Sequence, residues 1–280
     1  MAKAELTPGS QARSDIRWHV PAYLAPSIDM HTHPPYDRSQ TEPMLAAARR
    51  AGIERLILCS IGYSDMIPYP SVDEVKRGNE EVYSLIDGHP GFVFGLVYVN
   101  PNHPETRDIL EEGLQRPGVV GIKLWVSCRD EGGRLNPVYP VLECAAERKV
   151  PVLCHAFYRS GGNWPGELSP TDIAHLAARY PQARLVMAHM GGQWIHGVRT
   201  IKPYPNVWTD CSGGRAYMGS LELAVRELGV ERVLYGSDAF IRAFVAMLAK
   251  VAAAKLDLAD KRRIVWDNSA ALFFGEGELT

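Results

Sequence analysis

The stretch Ser27-Ile28-Asp29-Met30-His31-Thr32-His33-Pro34-Pro35 decides the fold. It opens as a short strand. A doubly wound nucleotide-binding sheet would follow its first strand with a glycine-rich phosphate turn. This chain instead continues His-Thr-His-Pro-Pro, which ends a strand without cradling a phosphate.

Downstream, short apolar runs alternate with longer amphipathic stretches. Residues 55–59, 92–99, 119–125, 150–155, 183–189, 206–210 and 232–238 read as further strands. Residues 41–51, 72–87, 106–115, 138–148, 170–180 and 221–228 have helical spacing, and residues 241–256 and 259–274 close the chain as helices. The segment between His189 and Asn206 is less regular. Near-continuous apolar strands separated by helices belong to a parallel sheet covered on both faces. Eight such units predict an α/β fold, a single (β/α)8 TIM barrel. Residues 1–26, broken by Pro8, Gly9, Pro21 and Pro26, are expected to form an irregular N-terminal arm, and residues 27–280 the barrel.

Composition agrees. The 280 residues are 46% hydrophobic and 22% charged, enough apolar content for a core, which excludes a disordered chain. The formal net charge of −2 and the lack of a long basic run exclude nucleic acid as the main ligand. The densest basic run, Lys261-Arg262-Arg263, reads as a solvated helix face. No stretch reaches the ~18 apolar residues of a membrane span. The five cysteines are odd in number, scattered and without a CxxC pair, the usage of a reduced, cytoplasmic protein. A homodimer is the assembly considered, with Trp18 and Tyr23 of the arm as interface candidates.

Histidine or aspartate ends strand after strand: His31 and His33, His155, His189, Asp210 and Asp238. In a barrel, the catalytic groups come from these C-terminal strand ends. Alternate strand residues share a face, so His31 and His33 form one edge of a metal site suited to zinc or a similar ion. His155 and Asp238 extend that edge to three imidazoles and a carboxylate. His189, followed by Gly191 and Gly192, is either a further ligand or a general acid/base; the glycines are expected to let a ligand or metal approach the backbone. Lys123, a charge inside an apolar strand, is expected to face the barrel mouth. There it binds a substrate carboxylate or carries a carbamate bridging two metals. Arg129, Arg159 and Arg215 fall in βα loops and are candidates to hold a substrate carboxylate. The 157–169 loop, with Trp164, is a candidate lid and substrate contact.

Taken together, Asp-Met-His-Thr-His, Gly-Ile-Lys-Leu, Ala-His-Met-Gly-Gly, Tyr-Gly-Ser-Asp and the closing Trp-Asp-Asn-Ser-Ala-Ala-Leu-Phe resemble the amidohydrolase superfamily. The wording is similar to its amidohydrolase-related branch, which includes aminocarboxymuconate-semialdehyde decarboxylase and related aromatic-acid decarboxylases alongside hydrolases. The resemblance implies that His31, His33, His155 and Asp238 bind one metal, usually zinc, with two ions if Lys123 is carboxylated. It implies that His189 is the acid/base at the activated water, and that Asn268 is structural, capping the last helix.

The expected activity is hydrolysis of a C–O or C–N acyl bond of a small carboxylated molecule, with Asp238 and His189 moving the proton. The alternative on the same site is non-oxidative decarboxylation or hydration of an unsaturated or aromatic acid.

Overall fold

The computed structural model describes residues 20–62, 65–214 and 216–275. Eight parallel strands follow one another in chain order: β1 (Ser27–Thr32), β2 (Ile53–Cys59), β3 (Val93–Tyr98), β4 (Val119–Leu124), β5 (Pro151–Cys154), β6 (Arg184–Met187), β7 (Val207–Asp210) and β8 (Val233–Leu234). Between them lie α1 (Thr41–Arg50), α2 (Val72–Gly88), α3 (Thr106–Gly113), α4 (Tyr139–Arg148), α5 (Pro170–Arg179), α6 (Trp194–Ile201) and α7 (Ser220–Leu228). After β8 come α8 (Phe244–Ala253), α9 (Leu258–Arg262) and α10 (Asn268–Phe273).

The sheet closes on itself. Although β8 has only two residues in regular pairing, the chain beyond it lies along β1. Met30 N–H donates to Tyr235 O (3.2 Å), Asp238 N–H to His31 O (2.8 Å) and His33 N–H to Ala239 O (2.6 Å). The expected (β/α)8 barrel is the observed fold.

Two apolar layers hold it. The larger packs the outer strand faces against the helices, and the smaller, with Ile28, Met30, Ile57, Leu96, Leu153, Val186 and Leu234, fills the lumen. Residues of α10 join the lumen cluster, with Phe274 edge-on to Phe94 near the start of β3, so the last helix stoppers the end of the barrel where the strands begin. Local signals fix the helix starts: Ser71 with Glu74, and Ser169 with Asp172, form capping boxes at α2 and α5.

Five expectations need correction. The less regular segment before Asn206 contains α6, whose Gly197 is required, because a Cβ there would sit 2.1 Å from Met190 O. The sixth and eighth strands end before His189 and Asp238, whose φ values of 60° and 63° leave the extended region. The closing helix is split by a wide turn over Arg263–Asp267. Lys261 is buried there with Nζ donating to Ala252 O (2.7 Å), and Arg262 donates to Pro26 O (2.6 Å), so this basic run fastens elements together rather than facing solvent throughout. Asn268 does not cap α10: its amide donates to Val230 O and Val233 O, both at 2.8 Å, tying the helix to the root of β8.

Residues 1–19, including Trp18 of the expected arm, and Arg215 lie outside the described residues. Tyr23 is 40% exposed. All five cysteines are buried and unpaired. Among the described residues, no helix is long and apolar enough to cross a membrane.

Candidate metal centre

A bulge in β1 turns its histidines to the mouth. Ile28 and Met30 belong to the lumen, so strict alternation would send His31 and His33 outward. Between Asp29, paired with Leu56, and Thr32, paired with Leu58, β1 advances three residues while β2 advances two. That extra residue reverses the facing, and both imidazoles line the mouth cavity. Lys123 on β4 lies between the outward residues Ile122 and Leu124 and therefore also faces in. His155 keeps the inward facing of Leu153.

Each imidazole is held by its outer nitrogen. His33 Nδ1–H donates to Cys59 O (2.8 Å), His31 Nδ1–H to Asp210 Oδ2 (2.7 Å) and His155 Nε2–H to Glu167 Oε1 (2.8 Å). Because these partners only accept, each proton is fixed on the outer nitrogen and the inner lone pair faces the cavity. Ser212 does the same for His189. Its hydroxyl donates to Asp210 Oδ1 (2.6 Å), so its oxygen accepts from His189 Nδ1–H (3.0 Å) and leaves Nε2 facing inward.

The inward atoms are crowded with acceptors. His155 Nδ1 and His189 Nε2 lie 3.2 Å apart, and His33 Nε2 lies 3.3 Å from Asp238 Oδ1. Lone pairs at such distances repel unless a proton or a cation stands between them, so this donor set fits a divalent ion. The His31 Nε2 lone pair accepts from Lys123 Nζ (3.0 Å), a cation already on the same cluster. Two tighter triplets of potential ligand atoms share His31, one with His33 and Cys59, the other with His189 and Asp210. Cys59 and Asp210 serve the outer nitrogens in these triplets.

Electrostatics match the geometry. Burial and the Lys123 ammonium push His31 down to about 4, and burial foremost pushes His189 down to about 3, so both imidazoles stay neutral. Burial opposes ionisation of Asp238, yet the hydrogen bond from His33 holds it below the usual carboxylate range. Burial likewise opposes charge on His33, but Cys59 and Asp238 outweigh it and raise the group to about 9, so without an ion a proton stands between His33 Nε2 and Asp238, at the place a metal would take.

The cavity has a volume of about 200 Å³ and is walled by Trp125, Phe157 and Trp164 around the histidines, Lys123 and Asp238. Of the arginines expected to hold substrate, Arg159 lines the cavity and is paired there with Glu167 through three hydrogen bonds of 2.7 to 3.0 Å from Nε and Nη2. Arg129 does not line this cavity; it pairs with Asp172 (2.6 Å) in an adjoining groove of about 1180 Å³ that shares Trp164 with it. The 157–169 loop folds over the mouth, delivering Glu167 to His155 and Trp164 to the wall. Gly191 and Gly192 admit protein rather than ligand: Cβ atoms there would meet Pro170 and the Phe157 ring at 2.6 and 2.3 Å.

Sequence reading gave no role to Asp210, Ser212, Glu167 or Arg242. Asp210 carried a signal, since it ends a strand as the other site residues do. Ser212, two residues beyond it, and Glu167 and Arg242 in loops carried none.

The sequence model of the amidohydrolase family matches residues 28–275. No curated protein sequence matches the chain significantly. Among solved structures, 2,6-dihydroxybenzoate decarboxylase from Rhizobium has a TM-score of 0.70 at 15% identity, covering 89% of this chain and 98% of that one. A dihydroxybenzoic acid decarboxylase from Polaromonas sp. JS666, with bound manganese and the inhibitor 2-nitroresorcinol, gives 0.72 at 17% identity, covering 89% and 97%. A Pseudomonas putida protein described as a 2-pyrone-4,6-dicarboxylic acid hydrolase gives 0.65 at 20% identity, covering 89% and 98%. At such identities these likenesses establish the shared fold.

Proposed function

The chain belongs to the amidohydrolase family, whose model spans residues 28–275, and from that premise we propose that it is a divalent-metal-dependent hydrolase of a small acidic substrate, cleaving a C–O or C–N acyl bond. One observation carries this reading: three imidazoles, each fixed by an acceptor on its outer nitrogen, turn their lone pairs into the cavity that Asp238 also lines. His31, His33, His155 and Asp238 would hold the ion. Three nitrogens and one carboxylate suit zinc. Manganese, present in the Polaromonas decarboxylase, is the second ion to test.

A bound divalent ion lowers the pKa of water and polarises a substrate carbonyl. The chain's own groups supply the rest. Asp238 takes the proton of the attacking water. His189, held by Ser212 with Nε2 toward the cavity, passes that proton to the leaving group. With His31 engaged by the ion, the Lys123 ammonium is left for a substrate oxygen. Trp125, Phe157 and Trp164 restrict water around the reacting bond.

A second reading, non-oxidative decarboxylation, is favoured by the size of the cavity: about 200 Å³ between aromatic walls suits one planar ring, and several of the fold's relatives decarboxylate such rings. In that reaction carbon dioxide leaves and a proton taken up from solvent on His189 Nε2 is delivered to the ring carbon in its place.

Metal content by elemental mass spectrometry is the first test. The expected result is one ion per chain in wild type and none in the His31→Ala/His33→Ala variant; two ions would assign Lys123 a bridging carbamate. A wild type that takes up no ion after reconstitution overturns the reading. The loaded enzyme is then given 2-pyrone-4,6-dicarboxylate and 2,6-dihydroxybenzoate. Ring opening without carbon dioxide supports hydrolysis, whereas carbon dioxide from the benzoate alone transfers the assignment to decarboxylation.

Five buried, unpaired thiols support a reducing, cytoplasmic compartment.

A further inference from the structure

Cations at the cavity differ in what they are free to do. Lys123 is 1% exposed at the cavity floor beside His31 Nε2, where the proposed reaction uses it on the reacting end of the substrate. Arg159 is neutralised by Glu167 in a bidentate pair. Arg242 lines the same cavity from the rim and is exposed, and among the described residues its guanidinium makes one hydrogen bond, a 3.3 Å contact to the carbonyl of its neighbour Ile241. Among the described residues lining the cavity, it is the cation without a carboxylate or imidazole partner.

Its position is fixed by the candidate ligands. Arg242 N–H donates to Asp238 O (2.9 Å), placing it one turn beyond that carboxylate. The intervening residues are held at two points: Ala239 O accepts from His33 N–H (2.6 Å), and the Phe240 ring meets Tyr36 edge-on at 4.5 Å. A guanidinium on so anchored a loop, facing a cavity whose floor is already cationic, fits an acid group on the outer end of the substrate.

We propose that Arg242 is a specificity-determining residue that grips a second carboxylate, on the end of the substrate remote from His31 and His33. The assignment rests on the proposed metal-dependent site. It makes the preferred substrates small molecules with two anionic ends, one reacting at the floor and one held at the rim. Planar bidentate pairing demands arginine there; lysine would retain the charge and lose the fork.

The test is calorimetric binding of two probes to the zinc-loaded enzyme. 2-Nitrophenol offers an oxygen pair to the floor; 4-hydroxy-3-nitrobenzoate adds a carboxylate at the far end. The expected result is that wild type binds the benzoate about 10–100-fold more tightly. Arg242→Gln abolishes that preference while leaving 2-nitrophenol binding and the melting temperature unchanged, and Arg242→Lys restores part of it. A glutamine variant that keeps the preference, or that weakens both probes equally, overturns the assignment of Arg242 alone. A wild type that binds neither probe overturns the reading of the site and this assignment with it.

Discussion

Glu167 Oε1 accepts from His155 Nε2 at 2.8 Å while the same carboxylate is clamped by Arg159. One buried carboxylate thus does two things. It orients a candidate metal ligand, and it pairs with an arginine that the sequence offers as a substrate contact.

Glu167→Gln tests that role. The amide still fits, but it no longer supplies the charge that strengthens the outer bond to His155. Metal affinity is expected to fall about 10–100-fold, as for other partners of ligating histidines. A chelator-competition titration reads the change, and an unaltered affinity would falsify the orienting role.

His189 is assigned to proton transfer rather than to the metal shell. His189→Asn is therefore expected to keep full metal content while turnover falls about 10²–10⁴-fold. Loss of the ion in elemental analysis would instead make His189 a ligand.

Gly213 lies against the His189 ring: with φ at +62°, a Cβ would fall 2.3 Å from Nδ1, where Ser212 Oγ is bonded. Gly213→Ala is expected to displace the imidazole, lower turnover and cost about 1–3 kcal/mol of stability, with metal retained. Urea melts and metal analysis on one preparation check all three; normal turnover would show that the ring tolerates displacement.

Away from the site, Glu81 pairs with Arg38 at 2.5 Å, yet burial outweighs the guanidinium and raises the carboxyl from 4.5 to about 7. The folded chain therefore keeps a proton that the unfolded chain has lost. Stability from this group is full below about pH 4.5 and declines as pH rises to about 7. Glu81→Gln removes that decline, worth about 1–2 kcal/mol after solvent screening. Melts of both proteins between pH 4.5 and 8 should converge or cross in that direction; parallel profiles would place the titration elsewhere.

How much was legible divides along a physical line. Alternating apolar and amphipathic runs announced strands and helices, because backbone pairing and burial act over neighbouring residues. The helix α6 was not legible, and its Gly197 answers to close packing against Met190 rather than to local helix preference. His189 was placed on its strand, but the left-handed turn that aims it depends on Asp210, whose carboxylate accepts its backbone N–H at 2.8 Å.

The chain's sequence by itself determined a parallel barrel and the gathering of His31, His33, His155, His189 and Asp238 at one end of it, because residue type and position along a strand are local properties. Tertiary structure decided which nitrogen of each ring faces inward, that a bulge turns β1 toward the mouth, that Arg159 pairs with Glu167 and that Arg242 has no carboxylate partner among the described residues. Those outcomes depend on partners brought together from distant segments, such as His31 and Asp210, 179 residues apart and 2.7 Å from each other. Hydrogen bonds and ion pairs are chosen by distance in space, and no periodicity along the chain encodes that distance.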